Sequence, residues 1–198
     1  MSSRLAESFF ARDTVQVARD LVGKRLVRLD RNQRISGIIL ETEAYRGEED
    51  LACHCRAGRT PRTEIMYGPA GRAYIYLIYG MHWLLNFVTE SEGSPGAVLI
   101  RAIAPEEGKL IIAQRRGNQS EKHWTDGPGK ISKALEINGE LNGLNTCNPR
   151  APIFIENGQD LNPEWIKAAP RVGLESVPEP WRSIPWRFVV NYQHLLIG

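Results

Sequence analysis

The segment Lys24–Asp30 alternates in character, Arg31-Asn32-Gln33 interrupts it, and Ile35–Tyr45 resumes as a longer strand-like run. Side chains point to opposite faces along a strand, so this spacing predicts an antiparallel hairpin and excludes an all-helical chain. A second pair, Ala73–Leu77 and Trp83–Thr89, is joined across Tyr79-Gly80-Met81-His82, and Val98–Ile103 adds another strand. Helices are few. Asp13 is a natural N-cap for a helix with Val15, Ala18, Leu21 and Val22 on one face and Gly23 as its stop. Pro105-Glu106-Glu107 predicts a second helix ending near Gly117, and Lys130–Ile137 predicts a third. Later strands are expected at Ile153–Glu156, Arg171–Leu174 and Trp186–Asn191. Early hairpins with scattered helices point to α+β rather than a doubly wound sheet. Arg46–Ala70 shows neither period and is too long for a connector, which marks it as a functional or mobile loop.

Nothing in the 198 residues forces a boundary, so one domain over 1–198 is expected. Three cysteines cannot all pair within the chain, which favours a reducing compartment over a disulfide scaffold. No apolar run approaches the roughly eighteen residues that span a bilayer. The expectation is a soluble, unprocessed, cytoplasmic protein, nucleoid-associated in a bacterium, with no membrane partner. The net charge of +2 excludes a histone-like tail. That total hides segregation: residues 36–55 carry one Arg against five acids, whereas residues 56–89 carry four Arg against one Glu.

Glu41 and Glu43 stand two apart on a presumed strand and share a face, so both cannot comfortably be buried and ionised. The same spacing also fits a solvated strand end. Glu48, Glu49 and Asp50 read as solvent-facing loop acids. Cys53-His54-Cys55 has poor spacing for a tetrahedral metal, so no metal is expected. Gly127-Pro128-Gly129-Lys130 lacks the spacing of a nucleotide-binding phosphate loop. It fits either a helix entry holding a DNA phosphate or an ordinary glycine-rich turn. Tyr74 and Tyr76 share a strand face, and Tyr79 to Trp83 crowds aromatics onto a hairpin tip where small polar residues are usual. Apolar wedges between base steps unstack DNA, and basic residues around them hold phosphates. Aromatic faces, a carboxylate, a wedge and a basic rim together fit a glycosylase that stacks a flipped base and activates water.

These residues carry a family resemblance. Glu41-Thr42-Glu43-Ala44-Tyr45, Glu49-Asp50, His54, Thr60-Pro61-Arg62, Tyr74 to Met81, Asn86, Leu99 to Ala102, Gly127 to Lys130 and Arg171-Val172-Gly173 occur in order. The chain resembles the alkyladenine (3-methyladenine, methylpurine) DNA glycosylase family. The resemblance implies a curved antiparallel sheet with a protruding DNA-inserting hairpin, no cofactor, and a monofunctional glycosylase acting as a monomer. It implies damaged purines in double-stranded DNA as substrate. By resemblance Glu43 is the general base, and Arg101 and the carbonyl of Val190 help hold the water. Tyr45, His54 and Tyr76 wall the base pocket, and Asn86 crowds the 2-amino group of guanine. Tyr79 fills the vacated place in the duplex, with Met81 and His82 beside it. Arg59, Thr60, Arg62 and Lys130 are expected to contact DNA. Here cysteines flank His54 where the family usually has small residues. A bifunctional enzyme with Lys130 as nucleophile, a damage-binding module without chemistry and an RNA-processing module are the rival readings.

Overall fold

Strand β2 (Gln33–Arg46) organises the molecule, because three other strands share its two edges. Strand β5 (Gly96–Glu107) runs along one edge from Ser36 to Arg46. The other edge is divided: β1 (Arg25–Asp30) pairs with Gln33–Ile38, and β8 (Arg187–Val189) pairs with Glu41–Glu43. With β3 (Ala73–Ile78), β4 (His82–Val88), β6 (Ile153–Glu156) and β7 (Lys167–Ala169), these form one eight-stranded sheet of order β3-β4-β5-β2-β1-β6, in which β7 joins through β8. All pairings named are antiparallel. This computed structural model describes residues 4–191 and 193.

The expected first helix forms as α2 (Thr14–Leu21), after the short α1 (Glu7–Phe10). Asp13 Oδ1 accepts from the N–H groups of Val15 and Gln16, each at 3.0 Å, which satisfies two orphan donors at the helix start. Val17, Ala18 and Leu21 of α2 enter the main core, where they meet Ile39, Ala44 and Ile100 of the sheet. Thr42 seals this contact by donating to Ala18 O at 2.7 Å. The residues alternating with it, Glu41, Glu43 and Tyr45, therefore project from the other face.

Two expected elements are corrected. Pro105-Glu106-Glu107 does not open a helix, since β5 continues through it and Pro105 lies opposite Gly37 beside a register shift. Proline is tolerated in a strand at such an irregularity, and Arg25 and Arg34 hold Glu106 and Glu107 at 2.6 and 2.7 Å. Helix α3 starts later, at Lys109–Arg116. Arg171–Leu174 is not a strand; it is irregular chain running over the end of β2. The third helix, α4, covers Pro128–Leu135, and the aperiodic loop contains two single-turn helices, His54–Ala57 and Glu64–Tyr67.

Candidate active site

The β2–β5 ladder loses register on both sides of Glu41. Ile39 faces Ile103, Glu41 faces Ala102 and Thr42 faces Ile100, so Leu40 and Arg101 have no partner across this ladder. Such bulges redirect side chains. Here the result is that Arg101 sits between the two carboxylates of β2. Its Nε donates to Glu41 Oε1 at 2.9 Å, and one terminal nitrogen donates to Glu43 Oε2 at 3.3 Å. Arg187 adds a second cation to Glu41 at 3.0 Å. The like-charge problem posed by the Glu-x-Glu spacing is answered by guanidinium groups from two neighbouring strands.

Glu43 is fully buried, and three donors meet it. Tyr45 OH donates to Oε2 at 2.8 Å, and the backbone N–H of Val172 donates to Oε1 at 2.7 Å. Arg101 is the third. All three donors belong to residues lining a cleft of about 660 Å³. Burial raises the carboxyl's pKa above its ordinary value, while Arg101, the Val172 N–H and the Tyr45 hydroxyl pull it down and Glu41 pushes it up again. The group is thus a carboxylate with increased proton affinity, one layer behind a cavity wall.

Aromatic groups form the cleft's side. The His54 and Tyr76 rings meet edge to face at 4.6 Å between centroids, so no planar base fits between them. They make one wall together, and Tyr45 lines the cleft separately. His54 Nδ1 lies 2.9 Å from Tyr74 OH, and Arg62 donates to Nε2 at 3.1 Å. Because arginine only donates, Nε2 must accept and the imidazole is neutral, with its hydrogen on Nδ1. Burial, with Arg62 and Arg56 nearby, lowers its pKa to about 4. Arg62 also lies over the Tyr76 ring, 5.1 Å from its centroid. Asn86 is buried in the cleft lining, its amide donating to Tyr74 O at 3.0 Å. Cys53 lines the cleft beside His54, its sulfur 3.1 Å from that of Cys55, and Cys55 approaches Met66 Sδ at 3.4 Å. Among the described residues no cluster suits a metal ion.

Tyr79, Gly80 and Met81 close the β3–β4 hairpin, with Tyr79 83 % and Met81 69 % exposed. The hairpin is braced by α4 and by the turn at Gly139. A Cβ on Gly129 of α4 would come within 3.1 Å of His82, and one on Gly139 within 2.8 Å of Trp83, so both glycines permit close seating. Tyr79, His82 and Lys130 line the cleft mouth with Arg116 and Lys133. Lys130 is engaged by Asp126 at 2.8 Å. Arg59 pairs with Glu64 at 3.2 Å over the Tyr67 ring, and Thr60 bonds Thr63 in a local turn. Neither Arg59 nor Thr60 lines the cleft.

The structure does not bring Val190 to the cleft. It is buried in the main core, its N–H bonded to Leu40 O at 2.9 Å. The backbone group beside Glu43 is that of Val172, in the segment expected as a strand. Asp50 is likewise not a solvent-facing acid. It is fully buried and grips Arg171 through both oxygens, at 2.5 and 2.9 Å. The Arg-Val-Gly triplet was visible in sequence, but its periodicity suggested a strand and concealed these contacts. Tyr74 was marked by sharing a face with Tyr76, and its bond to His54 follows from that face.

A family model described as methylpurine-DNA glycosylase matches residues 8–194. A protein of Desulfitobacterium hafniense is 44 % identical over 197 residues, covering 95 % of each chain. One of Myxococcus xanthus is 44 % identical over 195 residues, covering 98 % of this chain and 94 % of its own. One of Chlamydia felis is 46 % identical over 191 residues, covering 94 % and 96 %. Each is provisionally named 3-methyladenine DNA glycosylase.

Proposed function

Because the chain belongs to the methylpurine-DNA glycosylase family, and is thus a DNA-3-methyladenine glycosylase that hydrolyses N-glycosyl bonds, we propose that it flips alkylated or deaminated purines out of duplex DNA and excises them with water activated by Glu43. The water oxygen bonds to the sugar C1′ and its proton passes to Glu43. The N-glycosidic bond breaks with its electrons leaving on the base, and an abasic site remains. The transition state is oxocarbenium-like, and a nearby carboxylate stabilises its positive charge. The observation that carries this reading is the Glu43 carboxylate one layer behind the cleft, held by Arg101, Tyr45 and Val172. A carboxylate accepts about four hydrogen bonds, so one acceptor site remains beyond those three. Because the side chain has no exposed surface, water reaches it only when one of the wall groups shifts.

The flipped base stacks on Tyr45 and meets the His54–Tyr76 wall, and Asn86 excludes the 2-amino group of guanine. Weakly paired lesions such as hypoxanthine flip at lower cost, so selection begins before the pocket. Tyr79 takes the vacated place in the helix with Met81 and His82 beside it, and the basic mouth residues hold phosphates while the protein acts as a monomer. The engagement of Lys130 by Asp126 favours water over an amine nucleophile, so borohydride should trap no DNA adduct. The decisive measurement is single-turnover excision by Glu43→Gln from a hypoxanthine duplex. A loss of about 10²- to 10⁴-fold is expected of a missing general base. Wild-type rates in that variant would remove Glu43 from the mechanism.

A further inference from the structure

We infer that Arg171, locked by Asp50, is the positioning residue that sets both the Val172 N–H and the Tyr45 ring against Glu43; this rests on Glu43 being the base. Arg171 and Asp50 are 121 residues apart, both with fully buried side chains. Beyond its bidentate grip on Asp50, the guanidinium donates to Ala44 O at 2.9 Å and to Trp181 O at 3.1 Å. It lies over the Tyr45 ring at 4.8 Å and the Trp186 ring at 5.2 Å. Ala44 stands between Glu43 and Tyr45, and Ala44 N–H donates to Trp186 O at 2.9 Å. One planar group therefore fixes the backbone between the base and its aromatic neighbour, backs that neighbour's ring, and anchors the chain one residue before the N–H that holds Glu43 Oε1.

Stability alone is a poor reason for such a pair. Burying two charges costs desolvation that their attraction only partly returns, and apolar side chains of similar volume often serve as well. An arginine fork, however, fixes several acceptors at set angles, which a greasy contact cannot do. Asp50 is held in turn by Ala52 N–H at 3.0 Å and Arg46 N–H at 3.3 Å, so the clamp is referenced to the loop leading to His54.

The test separates holding from positioning in the full-length protein. An Asp50→Leu/Arg171→Met double variant should keep a cooperative unfolding transition, at a lower midpoint because Ala44 O, Trp181 O and the Arg46 and Ala52 N–H groups lose their partners. Its rates are compared where both proteins are fully folded. Its single-turnover excision of hypoxanthine should fall at least tenfold at pH 6, with the deficit shrinking as pH rises. The sign follows from the base: loss of a well-placed Val172 donor raises the proton affinity of Glu43, so the acid limb of the rate profile moves to higher pH. The other groups facing Glu43 remain: Glu41 and Tyr45 from β2, Arg101 from β5, Tyr76 from β3 and Arg187 from β8. Arg171→Lys keeps the charge without the fork, and should show the same limb shift if the double variant does not fold. A deficit uniform in pH, or tracking only the folded fraction, overturns the inference. Glu43→Gln run in parallel distinguishes the failures: full activity there removes the base itself, whereas an inactive Glu43→Gln beside an unshifted clamp variant removes only the clamp's role.

Discussion

The floor of the cleft and the tip of the β3–β4 hairpin break opposite rules. At the floor, charge is buried: Glu43 has no exposed surface, and Arg101 is wedged between it and Glu41. At the tip, an aromatic is exposed: Tyr79 is 83 % accessible, with φ of 53° in the left-handed region. Hairpin turns with two such residues normally carry Asn-Gly or Asp-Gly, because a larger side chain in that conformation is strained. On the proposed reading, the difference separates two tasks. Chemistry at a carboxylate needs a dry place with fixed neighbours, so its cost is electrostatic and spread over β2, β5 and the 170–174 segment. Contact with another molecule needs surface, so its cost is local backbone strain at one residue.

Removing the cation from the floor should produce the larger stability effect. Arg101→Met leaves Glu43 without its cation and Glu41 with Arg187 alone, and breaking a buried pair costs on the order of 3–5 kcal/mol. Urea unfolding should show that loss at pH 8 and a smaller one at pH 5, where a carboxyl takes up a proton. Equal losses at both pH values would mean that packing, rather than charge, is what Arg101 supplies. The tip should behave in the reverse sense. Tyr79→Asn relieves the left-handed strain, so stability should rise by up to about 1 kcal/mol. Affinity for a lesion duplex should fall by about 1–3 kcal/mol, the worth of one stacked aromatic, with less change for undamaged DNA. Equal weakening on both duplexes would make Tyr79 a general contact.

The same contrast explains what the sequence revealed. The tip was legible because its signal is local: aromatics in a turn contradict turn chemistry within five residues. Glu43 and Arg101 were legible through resemblance, and the Glu-x-Glu spacing posed the charge problem without its answer. The answer is a pair of bulges, and no local pattern marks where Leu40 and Arg101 drop out of register. Asp50 reads as a solvent-facing acid in the sequence for the related reason that burial of a charge is decided by a partner, here Arg171, 121 residues away. Pro105 was misread because helix-start chemistry at Pro-Glu-Glu was outweighed by ladder pairing and by Arg25 and Arg34.

His54 stands between the two regions and should give the smallest effect. It is polar and mostly enclosed, and it is held neutral by a donor on one nitrogen and a hydroxyl on the other. Its pKa is about 4 in the folded protein and near 6.5 when unfolded. Between those values the unfolded chain binds a proton that the native site refuses, so the stability this neutral ring confers is present above pH 6.5 and is lost as pH falls toward 4. His54→Gln keeps a polar side chain but cannot titrate, so its urea midpoint should fall less steeply than the wild type's over that window. The partial exposure of the ring limits the difference to under about 1 kcal/mol. Parallel curves would mean that His54 is protonated freely in the folded state. The His54 ring would then carry a charge beside Arg62, and the contrast between a charged floor and a neutral His54–Tyr76 aromatic wall would fail.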